Sequence, residues 1–207
     1  MRDASGRTDR AAFMRFKQEL WNADRTRLTV LIDPGRIKRS VATNLDLGPA
    51  LLEGHRYELI VDQGWASADG SSVLPSFSKH FLVGGALREP PSVERWSWQP
   101  PRPGTRDALR IVFDRPFDRH PLDDALCVVA IEGQGIDGEP CVGENESSWS
   151  FIPDEPWISS DVRITVDDTL EDVAGNNFRE LFDRDAAPRS ALAATPDTPT
   201  QTRISGA

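Results

Sequence analysis

LRIVFDRPFDRH, from Leu109 to His120, carries the same pattern as LTVLIDPGRIKR, from Leu28 to Arg39: a run of strand-forming apolar residues, an Asp, and then a basic turn containing proline. Short apolar runs rich in β-branched residues are what a half-buried strand requires, so each stretch reads as a strand entering a turn. A second correspondence follows in the same order, with YELIVDQGWASADG (Tyr57 to Gly70) falling on VRITVDDTLEDVAG (Val162 to Gly175) at a constant shift of 105, from 57 to 162 and from 70 to 175. Asp62 meets Asp167, and Trp65 meets Leu170. Two matches in one order predict duplicated modules. The first pair is shifted by only 81, from 28 to 109, so the second module holds about 24 additional residues between its matching strands. Those residues supply a hairpin around Cys127 and Cys141 and the strand SSWSFIP.

Working outward, the second module is expected to have strands near Trp96 to Trp98, Leu109 to Phe113, Leu126 to Ile131, Cys141 to Gly143, Ser148 to Ile152, Val162 to Val166 and Phe178 to Phe182. Short strands punctuated by Gly, Pro, Asn and Asp suit an all-β fold of two tandem immunoglobulin-like β-sandwich modules. The first module offers fewer: Arg27 to Ile32, Tyr57 to Val61 and Phe77 to Val83, with weaker segments at Phe13 to Leu20 and Val41 to Leu45, so it reads as shorter or incomplete. The expected division is an unordered N-terminus over 1–12, a partial first module over 13–87, a proline-rich linker with the first strand of the second module over 88–105, the second module over 106–183, and an unordered tail over 184–207. Pro90, Pro91, Pro100, Pro101 and Pro103 stiffen the linker, and the tail is too small and polar to bury a core.

Composition narrows the function classes. The net charge of -9 argues against nucleic-acid binding, which needs a basic face to displace counterions. The longest apolar runs, such as Leu28 to Ile32, are about five residues, far short of the roughly 20 of a membrane-spanning helix. Charge is uneven: residues 1–39 carry ten Lys or Arg against five acids, and residues 123–185 carry 17 acids against three Arg. The first thirteen residues are basic without the apolar core of a secretory signal. Export to the periplasm or cell surface therefore requires an upstream signal, and as written the chain reads as cytoplasmic.

At this point the residues resemble a known type, the bacterial Ig-like domains named after the S-layer protein SbsA. The resemblance rests on Asp114 and Pro116 after an apolar strand, on the strand end Trp149 to Pro153, and on V-D-x-x-L-x-D-x-A-G-N from Val166 to Asn176. It covers residues 105–183 well and 28–83 in part. Members are structural spacers or binding modules of exported and cell-surface proteins, so the resemblance implies a non-enzymatic role with an unnamed protein or glycan partner.

The candidate sites each have a plainer reading. Asp167, Asp168, Glu171, Asp172 and Asn176 place five oxygen-bearing side chains in ten residues, a density that suits calcium. Their spacing is not that of an EF-hand loop, and Asp172, Gly175 and Asn176 equally suit a side-chain-capped turn. Cys127 and Cys141 form a cross-strand disulfide in an exported protein and remain small buried residues in the cytosol. Trp96 and Trp98, two apart on one strand, suit a glycan platform or a sandwich core. The run Asp33 to Arg39 suits an anion or a solvated loop. His120 in HPLDD is the one His beside carboxylates, with no nucleophile elbow or phosphate loop to accompany it. No catalytic residue and no cofactor are assigned, and calcium is the one ion considered.

Overall fold

A computed structural model describes residues 1–72, 75–122, 124–183 and 201–205. Strands dominate, in several small antiparallel sheets with few helices, so the chain is all-β. It divides into two compact units, one of Met1–Ala86 with Asp183 and the other of Leu87–Phe182 with Gln201–Ser205.

In the first unit, β1 (Arg2–Asp3), β4 (Arg56–Val61) and β5 (Phe77–Leu82) form a three-stranded sheet in the order β1-β4-β5. Strands β2 (Leu20–Trp21) and β3 (Leu28–Thr29) pair separately as a hairpin. Tyr57 of β4 stacks on its register partner Phe81, with ring centroids 5.9 Å apart, beside buried Met1, Ala12 and Ala50. The N-terminal residues expected to be unordered thus belong to the fold, because β1 pairs with β4 and Met1 and Ala12 are buried. Val41 to Leu45, weakly read as a strand, starts the helix α1 (Ala42–Leu47), which ends at Gly48 with φ of +76°. A left-handed backbone there favours glycine and stops the helix.

The second unit holds a four-stranded sheet ordered β6-β7-β10-β9, from β6 (Ser97–Trp98), β7 (Leu109–Val112), β9 (Gly138–Val142) and β10 (Ser148–Pro153). A three-stranded sheet ordered β12-β11-β8 is built from β8 (Leu126–Ala130), β11 (Val162–Asp167) and β12 (Gln201–Ser205). Period-two alternation explains the burial. Leu109 and Ile111 of β7, Trp149 and Phe151 of β10, Leu126 and Val128 of β8, and Val162, Ile164 and Val166 of β11 all enter one apolar core. Trp96, Phe113, Phe117 and Phe178 close one end of it, with ring centroids 4.6 to 6.2 Å apart. One short helix, α2 (Arg119–Leu122), links β7 to β8 and buries Leu122.

The aligned strands fare differently. Strands β4 and β11 are each the middle strand of a three-stranded antiparallel sheet, and the turns that follow contain left-handed Gly70 and Gly175. Leu28 to Ile32 and Leu109 to Phe113 diverge, since β7 is paired on both sides whereas β3 is a two-residue rung with exposed Val30 and Leu31 after it. Phe178 to Phe182, expected as a strand, is irregular, because its amides are taken by the turn before it: Phe178 N–H donates to the Asp168 carbonyl and Phe182 N–H to Asn176 Oδ1. Of the tail expected to be unordered, residues 184–200 and 206–207 lie outside the described residues, and Gln201–Ser205 pair with β11 as β12.

Trp149 is 1% exposed and stacks on Phe151 and the core. Replacing Trp149 by Ala is expected to cost about 3–5 kcal/mol, whereas Leu45→Ala, on the exposed face of α1, is expected to change stability by less than about 0.5 kcal/mol. Urea unfolding of the two variants checks the contrast.

Candidate functional site

The densest group of buried polar side chains follows β11. Asp172 Oδ1 accepts hydrogen bonds from the Ala174 and Asn176 amides at 2.9 and 3.0 Å. Its Oδ2 accepts from Asn176 Nδ2 and Arg115 Nη1, both at 3.2 Å. Arg115 Nη1 also donates to the Glu89 carbonyl at 2.9 Å, and Asn176 Nδ2 to the Leu87 carbonyl at 3.1 Å. Asn176 Oδ1 accepts from the Phe182 amide at 3.0 Å. Three stretches of the second unit, near residues 87–89, 114–117 and 172–182, are therefore held by one carboxylate, one guanidinium and one amide. Gly175, at φ +81°, makes the reversal possible, and a Cβ there would press on the Phe182 side chain at 3.0 to 3.2 Å.

This geometry answers the calcium expectation for Asp167, Asp168, Asp172 and Asn176. Asp172 and Asn176 are committed to each other, to Arg115 and to backbone amides. Asp168 turns to Arg179, with Oδ1 2.7 Å from Nη2. Asp167 Oδ1 accepts from the amide and hydroxyl of Thr169 at 2.8 and 2.7 Å. The four do not converge on a common point, and among the described residues no three of His, Cys, Asp and Glu are arranged to hold a metal ion. The capped-turn reading is the one that fits.

Cys127 and Cys141 are free, exposed thiols rather than a disulfide. Cys127 lies on β8 opposite Thr165, and Cys141 on β9 opposite Ser150, so they occupy different sheets. Cys127 alternates with buried Leu126 and Val128, which sets it on the face away from the core. The glycan platform also fails: Trp96 is buried among Phe113, Phe117 and Phe178, and Trp98 packs against the same core. His120 is exposed at the start of α2, where its amide donates to Asp118 Oδ1, and the neighbouring Asp123 lies outside the described residues.

In the first unit the Asp33 to Arg39 run is turned to structural use. Asp33 Oδ1 caps the tight turn Pro34–Arg36 by accepting from the Gly35 amide at 2.8 Å. Arg36 is buried: Nε donates to the Gly48 carbonyl at 2.6 Å, and Nη2 donates to Asp9 Oδ2 at 2.9 Å. Arg39 pairs with Asp183, at 2.6 Å. Of the two readings of this run, an anion site or a solvated loop, neither describes Arg36 and Arg39, which are engaged within the unit. Beside Arg36 a cavity of about 30 Å³, bordered by Asp3, Arg7, Asp9 and Tyr57, has room for about one water.

Comparison with family models, with curated proteins and with solved structures finds no match for the chain. Among the described residues, no helix is long and apolar enough to cross a membrane.

Two predictions follow from the turn. Asp172 and Arg115 side chains are 0% and 7% exposed, so Asp172→Ala removes one of the two charge partners of a buried guanidinium together with the acceptor of the Ala174 and Asn176 amides, and is expected to cost about 3–5 kcal/mol in chemical denaturation. The hydrogen bonds from the Thr169 hydroxyl and amide hold the Asp167 carboxyl below its ordinary value of 3.8. A lowered folded-state value means that the folded state binds the proton less readily than the unfolded chain. The stabilisation is full above the ordinary value and fades as pH falls through the folded-state value. The melting-temperature gap between wild type and Asp167→Ala is expected to be present at neutral pH and to close on acidification below that ordinary value.

Proposed function

We propose that the chain is a non-catalytic structural or interaction protein built from tandem immunoglobulin-like β-sandwich modules of the SbsA type, serving in the bacterial envelope or exterior when a leader directs export. The observation that carries this reading is the turn after β11. There Asp172, Gly175 and Asn176, part of the motif behind the resemblance, bind the framework of their own unit through Arg115 and the 87–89 backbone. Side chains committed in this way stabilise a scaffold.

Three further points support the sandwich. The alternating faces of the two sheets in the second unit enter a single core, as two packed sheets require. The pairing is antiparallel throughout. Polar and small residues such as Arg110, Ser150 and Cys127 stand opposite the core residues along the strands. The likeness of β4 and β11, each a middle strand before a glycine-containing turn, supports descent of the two modules from one.

Thermal melting with calcium, with chelator and with reductant tests this reading. The expected result is one melting temperature under all three conditions. A rise with calcium that chelator reverses would make the protein a cation-binding module instead, and a fall with reductant would restore a disulfide between Cys127 and Cys141.

A further inference from the structure

The first unit carries an exposed surface that its own fold does not use. Phe13 bridges to Ile32 and Leu20 pairs with Thr29, so Met14 to Glu19 stand opposite only Val30 and Leu31, and the longer arm bulges. Every residue of the bulge is exposed. Met14 and Phe16 are 42% and 45% exposed and alternate with the cations Arg15 and Lys17, while Leu20, Val30 and Leu31 extend the apolar surface along both arms. A set of exposed apolar side chains on the two arms of one hairpin, interleaved in sequence with cations, fits an acidic partner that also offers an apolar contact.

The same chain carries such a partner surface. Residues 1–86 hold 12 Lys or Arg against 10 acids, whereas residues 87–207 hold 12 against 23. In the loop Asp154 to Asp161, Trp157 is buried and held by three hydrogen bonds: Nε1 to the Asp107 carbonyl, its amide to the Thr105 carbonyl, and its carbonyl from the Gly104 amide. Its neighbour Ile158 is 97% exposed, with exposed Asp154, Glu155 and Asp161 around it in sequence. The buried indole fixes the backbone, and Ile158 is thereby presented as an apolar knob among carboxylates.

We propose that the bulged hairpin Phe13 to Ile32 docks on the Asp154–Asp161 loop of a second copy of this chain, Ile158 meeting Met14 and Phe16 while Arg15 and Lys17 meet Asp154 and Glu155. This rests on the interaction-protein reading and names its partner. Because hairpin and loop are different surfaces, the association is head-to-tail, and each added copy leaves both kinds of surface available at the ends.

The test is sedimentation velocity of the full chain over a wide concentration range at low and high salt, with two variants. Arg15→Glu/Lys17→Glu lacks a working hairpin, and Asp154→Lys/Glu155→Lys lacks a working loop; all four positions are exposed, and unchanged melting temperatures verify folding. Wild type is expected to grow in average mass with concentration at low salt, to at least about twice the monomer, and to shrink with added salt. Each variant alone is expected to stay monomeric, and the two mixed are expected to associate, since the intact surface of each meets the intact surface of the other and the two reversed surfaces are again opposite in charge. A wild type that is monomeric throughout overturns the proposal, as does an associating wild type whose variants associate equally or fail to pair when mixed. Those failures leave the scaffold reading intact, because that reading is judged by the calcium and reductant melts.

Discussion

A single buried carboxylate organises the polar half of the second unit. Asp172 reaches two backbone amides, one side-chain amide and one guanidinium, and through the last two it reaches the main chain at Leu87 and Glu89. A carboxylate with no exposed side-chain surface is tolerable only when its oxygens are engaged, and leaving one such group unpaired would cost several kcal/mol. The requirement runs in both directions: Arg115, almost as deeply buried, has Asp172 and Asp114 as its charge partners. The entry of the unit, the turn after β7 and the turn after β11 are therefore fixed relative to one another by charge and hydrogen bonding, while the apolar core fixes the sheets.

The two units divide the physical work unequally. The second buries three tryptophans and a run of phenylalanines and branched aliphatics in one core. The first has a small core around Tyr57 and relies on buried Arg36 to gather Asp9, Gly48 and Pro49. Several of its apolar residues, among them Phe16, Leu47, Phe77 and Leu82, stay exposed. A unit that leaves this much apolar surface in water is suited to contact with something else.

How much was legible in the sequence follows from these differences. Leu109 to Phe113, Ser148 to Ile152 and Val162 to Val166 alternate with period two between core and surface, and each appears as a strand close to its expected limits. In the first unit the apolar run Leu28 to Ile32 is rich in strand-forming residues like β7 but has only the two-residue β2 paired beside it, so pattern alone overstated it. Asp172, Gly175 and Asn176 were readable as a capped turn from residue type and spacing. Arg115 was not, because an arginine between an aspartate and a proline reads as solvated, and only the distant chain segments around it make it a buried partner. Trp96 was likewise ambiguous, since an indole serves a core as readily as a sugar face.

Asp172 holds its turn as a structural clasp, and amide hydrogen exchange reads that directly. The account predicts that the Ala174 and Asn176 amides, both donating to Asp172 Oδ1, exchange as slowly as the amides of β11 and open only with the unit as a whole. Exchange of those two amides at the rate of an unfolded chain, while β11 stays protected, would contradict it.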